Sequence, residues 1–159
     1  LSLFMTFYVM APTFDRAWQN GVRPLTENQI TEEEAYERIT QPFREFMLAE
    51  VRPKDLALFR DLAEANFPDR PAPDPENQSV ELRILIPAFM ISELRRGFEI
   101  GFLIVLPFLV IDIIVATLIM SMGMMMLPPT VISLPFKLLF FILIDGWNIL
   151  IAGLVRSYF

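Results

Sequence analysis

Two long apolar segments, Ile100–Met126 and Val131–Val155, joined by Leu127-Pro128-Pro129, constrain this chain more than any other feature. The first is 27 residues long and carries one charge, Asp112. As a helix it would reach about 40 Å, and about 20 apolar residues suffice to cross a bilayer. The second carries Pro135, Lys137, Asp145, Gly146 and Asn148. Backbone in an apolar medium must satisfy its own hydrogen bonds, so both segments are expected to be helical. Adjacent prolines cannot continue a helix, because each lacks an N–H and crowds the residue before it. The expectation is a helical hairpin with a tight apolar tip. Five of the nine methionines, Met120, Met122, Met124, Met125 and Met126, lie just ahead of that tip.

The rest of the sequence narrows the class. At 159 residues there is one domain's worth of chain, and 54% hydrophobic content is too high for an ordinary soluble domain. The fold class expected is all-α, with long membrane-associated helical hairpins and a small acidic helical segment. With no cysteine there is neither a disulfide framework nor a thiolate site. With no histidine, a zinc site or a Ser/His/Asp hydrolase is disfavoured. A net charge of -6 without a basic run gives nucleic-acid binding little support.

Leu1–Ala11 leans apolar, is too short to span a membrane and has no basic flank, so it is not a signal peptide. It reads as the end of an apolar helix whose start precedes this sequence, with Pro12 ending it. Residues 12–82 hold 15 Asp and Glu against 8 Lys and Arg, a net of -7, so the acidity of the chain resides there. The ordinary reading of such charges is a solvated helical face. Thr31-Glu-Glu-Glu34 fits a capping box and predicts a helix through Thr40. Pro42 suits the first turn of a next helix over Phe43–Val51, with Phe43, Phe46 and Met47 on one face. Pro53 opens a third, with Leu56, Phe59 and Ala63 on one face. Phe67–Pro75 reads as a polyproline-like loop. Leu82–Phe89 is a short apolar piece broken by Pro87. Ser92-Glu93 then reads as an N-cap opening a helix that runs on into the first long segment, with Leu94, Phe98, Gly101 and Val105 on one face and Pro107 as the place for a bend.

Several ordered motifs resemble the FliP family. Pro87-Ala-Phe-Met-Ile-Ser-Glu-Leu-Arg-Arg-Gly-Phe-Glu-Ile-Gly-Phe102 and Pro107-Phe-Leu-Val-Ile-Asp112 are similar to its signature. So are Met122-Gly-Met-Met-Met126 with Pro128-Pro129, Ser133-Leu-Pro-Phe-Lys137 and Asp145-Gly-Trp147. Gln41-Pro-Phe-Arg-Glu-Phe-Met47 and Leu1–Pro12 extend the likeness over nearly the whole chain. The resemblance implies a core subunit of the flagellar type III protein export gate, in the bacterial inner membrane and flagellar basal body. It further implies a pentameric homo-oligomeric ring assembled with FliQ and FliR, a path through its centre for unfolded export substrates, and a periplasmic position for the acidic segment. It implies no enzyme activity and no cofactor. The Pro128-Pro129 tip and the acidic segment favour the flagellar branch over the injectisome branch, the SctR proteins. By this resemblance the chain divides into 1–11, the end of an apolar helix; 12–82, the acidic segment; 83–126, a first gate helix; and 127–159, the Pro-Pro turn and a second gate helix. The arginines flanking the hairpin, Arg95, Arg96 and Arg156, would by the positive-inside rule face the cytoplasm, whereas the family puts that side in the periplasm. A rule drawn from lipid-inserted helices fails for helices held in a protein assembly, so the expectation follows the family.

Two residue groups stand out as candidate sites. Asp112, Lys137 and Asp145 are ionisable groups in apolar sequence and need partners. Asp112 and Lys137 lie 15 and 10 positions from Leu127, about 7 Å apart in depth in ideal helices, which argues mildly against pairing within one chain. The expectation is therefore ion pairs between neighbouring subunits. Met122, Met124, Met125 and Met126 are expected to line the gate, on the strength of the resemblance and of the flexible thioether chain, with simple apolar filling as the alternative. A different class of function, an intramembrane aspartyl protease using Asp112 and Asp145, lacks the Gly-x-Gly-Asp pattern, since Leu143-Ile144 precedes Asp145.

Overall fold

The computed structural model describes residues 1–68, 81–123 and 128–159. Among them every regular element is helical and there is no strand, as the apolar periodicities predict. The chain forms two compact units, Leu1–Arg95 and Arg96–Phe159.

The first unit begins with α1, Ser2–Ala17, which continues through a π-helical turn, Trp18–Val22, into α2, Arg23–Thr26. Pro12 does not end α1 but lies inside it. A proline within a helix costs about 3 kcal/mol or more, and the packing of α1 on α3 offsets it. Thr13 and Ala17 are buried, and Phe14 meets Phe43 edge-on at 5.7 Å. Arg16 also pairs with Glu45 of α3. The π-helical turn stands just before Pro24, whose ring would meet the carbonyl four residues back in a regular α-helix.

Helix α3 is Glu32–Glu50, and Thr31 caps it as its capping box predicts, accepting the Glu34 N–H at 3.4 Å. The helix does not stop at Thr40 for a second to start at Pro42. It is continuous, with Pro42 inside and buried. Gly21 explains the close crossing of α3 over the π-helical turn: a Cβ there would lie 2.3 Å from Ile39 Cγ1 and 3.0 Å from the Ile39 backbone nitrogen. Pro53 does open the next helix, α4, Pro53–Asn66. Of the expected loop Phe67–Pro75, residues from 69 onward lie outside the described residues.

Helix α5, Leu82–Ser121, is 40 residues long, twice the roughly 20 that span a bilayer. It supplies its first part to the first unit and 96–121 to the second. Pro87 and Pro107 both lie inside it, so Leu82–Phe89 is not a separate piece and Ser92 is not an N-cap. In the first unit Leu85 and Ala88 of α5 are fully buried with Val51, and Met47, Leu48, Leu56 and Phe59 pack on that core. The predicted apolar faces of α3 and α4 thus meet α5. Phe46 contributes through Phe89, 6.0 Å away edge-on.

The second unit holds the end of α5 with α6, Pro129–Leu143, and α7, Gly146–Arg156. The second long apolar segment is therefore not one helix. It bends by 59° where Asp145 takes a left-handed conformation, φ 54°. Gly146 makes the bend fit, because a Cβ there would lie 2.4 Å from the Phe141 ring. Phe141 is held by Trp147 at 5.3 Å and Phe108 at 6.2 Å. Pro135 is retained inside α6.

Candidate functional site

Three charged positions were singled out by sequence, and the structure joins two of them. Lys137 Nζ of α6 lies 2.7 Å from Asp112 Oδ2 of α5, within one chain. The depth argument against this pair placed the turn at Leu127. In the structure α5 ends at Ser121 and α6 begins at Pro129. Asp112 is thus nine residues before one helix end and Lys137 eight after the other start, and their depths match. Ser133, fully buried, stands beside the same carboxylate. Asp112 Oδ1 is buried without a hydrogen-bond partner among the described residues. Sequence reasoning missed Ser133, although its spacing of four from Lys137 puts both on one helix face.

Asp145 is placed elsewhere. It is exposed at the α6–α7 bend, and its Oδ2 accepts from Asn148 Nδ2. Asp112 engages Lys137 while Asp145 engages Asn148, so each carboxylate is held by a partner of its own.

Met122 lies in the turn that follows α5 and is exposed, with Gly123 after it in the left-handed region at φ 72°. Met124, Met125 and Met126 lie outside the described residues. Around the ion pair the surface is apolar. Phe98, Leu103 and Ile113 of α5, and Leu138, Ile142 and Leu143 of α6, are each more than half exposed. Only 11% of the most apolar stretch of α5 is buried by its own chain. An apolar surface of this extent marks a contact with protein or lipid.

A second polar cluster ties α4 to α5 and was not anticipated. Ser92 donates to Asp55 Oδ2 at 2.7 Å, and Arg52 grips the same carboxylate through Nε and Nη2 at 2.8 and 2.9 Å. The Arg52 N–H in turn donates to Ser92 Oγ at 3.1 Å. The Ser92 hydrogen bond holds the Asp55 carboxyl below its ordinary value, opposed by burial and helped by Arg52. The spacing of three between Arg52 and Asp55 was legible as a helix-surface pair; the bond across 37 residues to Ser92 was not.

Helices apolar on most of their surface, one of them long and apolar enough to cross a membrane, and an ion pair set among them fit a membrane-associated protein that is all-helical among the described residues. Comparison with known proteins is specific. Residues 1–154 match the FliP family, to which this chain belongs. It is 64% identical over 158 residues to the flagellar biosynthetic protein FliP of Rhizobium meliloti, covering 99% of this chain and 63% of that protein. Over 158 residues it is 63% identical to the protein of the same name from Agrobacterium fabrum, with the same coverage of 99% and 63%. The Bacillus subtilis protein of that name is 47% identical over 158 residues, 99% of this chain and 69% of that protein. The chain thus spans a little under two thirds of the length of the first two relatives.

Proposed function

We propose that this chain is a core structural and gating subunit of the flagellar type III protein export gate, part of the conduit through which unfolded substrate proteins pass. The observation that carries this reading is the apolar surface of α5 and α6, which their own chain leaves largely uncovered. Such helices need neighbours, and a closed ring of identical subunits covers every copy's faces at once. Five copies, assembled with FliQ and FliR in the inner membrane at the flagellar base, would do so. The acidic residues 12–82 then form the periplasmic segment. A 40-residue α5 supports helices that extend beyond the bilayer, since only about half of it is needed to cross one. The name borne by the relatives, flagellar biosynthetic protein, supports the flagellar branch over the injectisome branch.

The gate itself is assigned to Met122, Met124, Met125 and Met126. Secreted chains vary in side chain, so a seal around them must deform. Unbranched methionine has three rotatable bonds and a soft sulfur, and a ring of such side chains closes to an apolar plug that excludes water. Gly123, already in a left-handed conformation, gives the backbone its turn beside them. The test is replacement of Met124, Met125 and Met126 by alanine in the assembled complex with FliQ and FliR. The complex should assemble and become leaky to small ions. Unchanged conductance in an intact triple variant leaves methionine as apolar filler.

A further inference from the structure

The first unit contains a polar cavity that the export reading does not use. It measures about 370 Å³ and is lined by Arg16, Gln19, Asn20, Pro24, Arg38, Gln41 and Pro42. Its walls are the π-helical turn with the adjoining ends of α1 and α2, and one flank of α3, which meets the turn at Gly21. Ligand pockets of comparable size, about 300–1,000 Å³, are usually apolar with a few polar groups. Here the proportion is reversed, and the lining supplies both hydrogen-bond donors and acceptors.

The donors are the Arg16 and Arg38 guanidiniums and three carboxamides. Arg16 gives one nitrogen to Glu45 and Arg38 one to Glu34. Neither glutamate lines the cavity, and a guanidinium has five N–H groups. The acceptors come from an unusual source. Pro24 has no N–H, so the carbonyl of Gln19, its partner in the π-helical register of this turn, goes without a helical donor. Pro42 likewise has none for the carbonyl of Arg38. Both residues whose carbonyls lose a helical donor to these two prolines, Gln19 and Arg38, line this cavity. Single-turn π-helical insertions recur at functional sites, and this one forms a wall.

We infer that this cavity binds an acidic segment of a polypeptide: a carboxylate against Arg16 and Arg38, with the adjoining peptide groups against the carboxamides and the proline-freed carbonyls. A simple anion would use the guanidiniums and leave the acceptors idle. A peptide bearing Asp or Glu uses both sets, because each of its amides brings one donor and one acceptor. The inference stands on the first unit alone and is independent of the gate reading.

The test is calorimetric titration of the detergent-solubilised protein with acetyl-Gly-Asp-Gly-amide, with its Asn counterpart, and with inorganic phosphate. The Asp peptide should bind about tenfold or more tightly than either of the others, a factor equal to about 1.4 kcal/mol. Arg38→Gln should weaken it about tenfold. Gln19→Glu, which adds a repelling carboxylate to the wall, should do the same with thermal melting unchanged, separating a lost site from a lost fold. Equal binding of the Asp and Asn peptides, phosphate binding as tight as the Asp peptide, or undiminished binding in both variants each overturns the proposal.

Discussion

Lys137 Nζ stands 2.7 Å from Asp112 Oδ2, yet the other oxygen of the same carboxylate is buried with no hydrogen-bond partner among the described residues. The pair is therefore satisfied on one side only. Within a single chain it locks α6 to α5, with the Ser133 hydroxyl of α6 beside the same carboxylate.

Lys137→Ala leaves the Asp112 carboxylate in apolar surroundings without its cation, which is worse than removing both charges. The assembled complex should be largely lost on native gels of detergent extracts. Asp112→Leu with Lys137→Met should restore most of it. Loss in the double variant as severe as in the single one would show that the charges are needed individually and not as a pair.

The Asp55–Ser92 bond makes stability depend on pH. The folded state holds the Asp55 carboxyl below its ordinary value of 3.8, so the stabilisation is fully present above that value. It is lost as pH falls below 3.8 through the lowered folded value. Ser92→Ala removes the largest cause of the shift. Its melting temperature should therefore lie below that of the parent at pH 6, and the gap should narrow on acidification toward pH 3. A gap that stays constant over that range would place the role of Ser92 in packing alone.

Gly21→Ala should destabilise the first unit by about 1–3 kcal/mol, the usual cost of overpacking. The added Cβ would lie 2.3 Å from Ile39 Cγ1 and 3.0 Å from Ile39 N. Adding Ile39→Ala should recover only part of the loss, since the backbone contact persists. Full recovery, read from thermal unfolding, would reduce the clash to the side chain.

The apolar surface of the second unit predicts that the chain is stable only in company. Analytical ultracentrifugation in detergent should find an oligomer. A well-behaved monomer in aqueous buffer without detergent would contradict both this expectation and the assembly proposed above.

Leu85→Ala should cost about 2–5 kcal/mol, the range for deleting a fully buried leucine side chain. The loss should appear in chemical denaturation followed by circular dichroism. A change under about 1 kcal/mol would mean that Met47, Leu48 and Phe59 close over the space.

Much of this architecture was legible locally. Long apolar runs dictate helices because apolar surroundings leave the backbone no other hydrogen-bond partners. Thr31 with Glu34 marked the start of α3, and Pro53 the start of α4, because both act within one helical turn. The ordered motifs carried the family. What failed was punctuation by proline and by serine. Pro12, Pro42 and Pro87 were expected to end or break helices, yet all three lie inside them. Ser92, expected to cap a helix, instead reaches Asp55. A proline's cost of about 3 kcal/mol is local and fixed. The burial that outweighs it around Ala17, Ala35, Leu85 and Ala88 comes from residues far away in the chain. The pairing of Asp112 with Lys137 and the bend at Asp145 were likewise decided in three dimensions. The sequence determined that the chain would be helical, apolar and in need of charge partners. Only the tertiary structure decided which helices run through their prolines and which charge meets which, because those choices depend on where the helices end and on what packs against them.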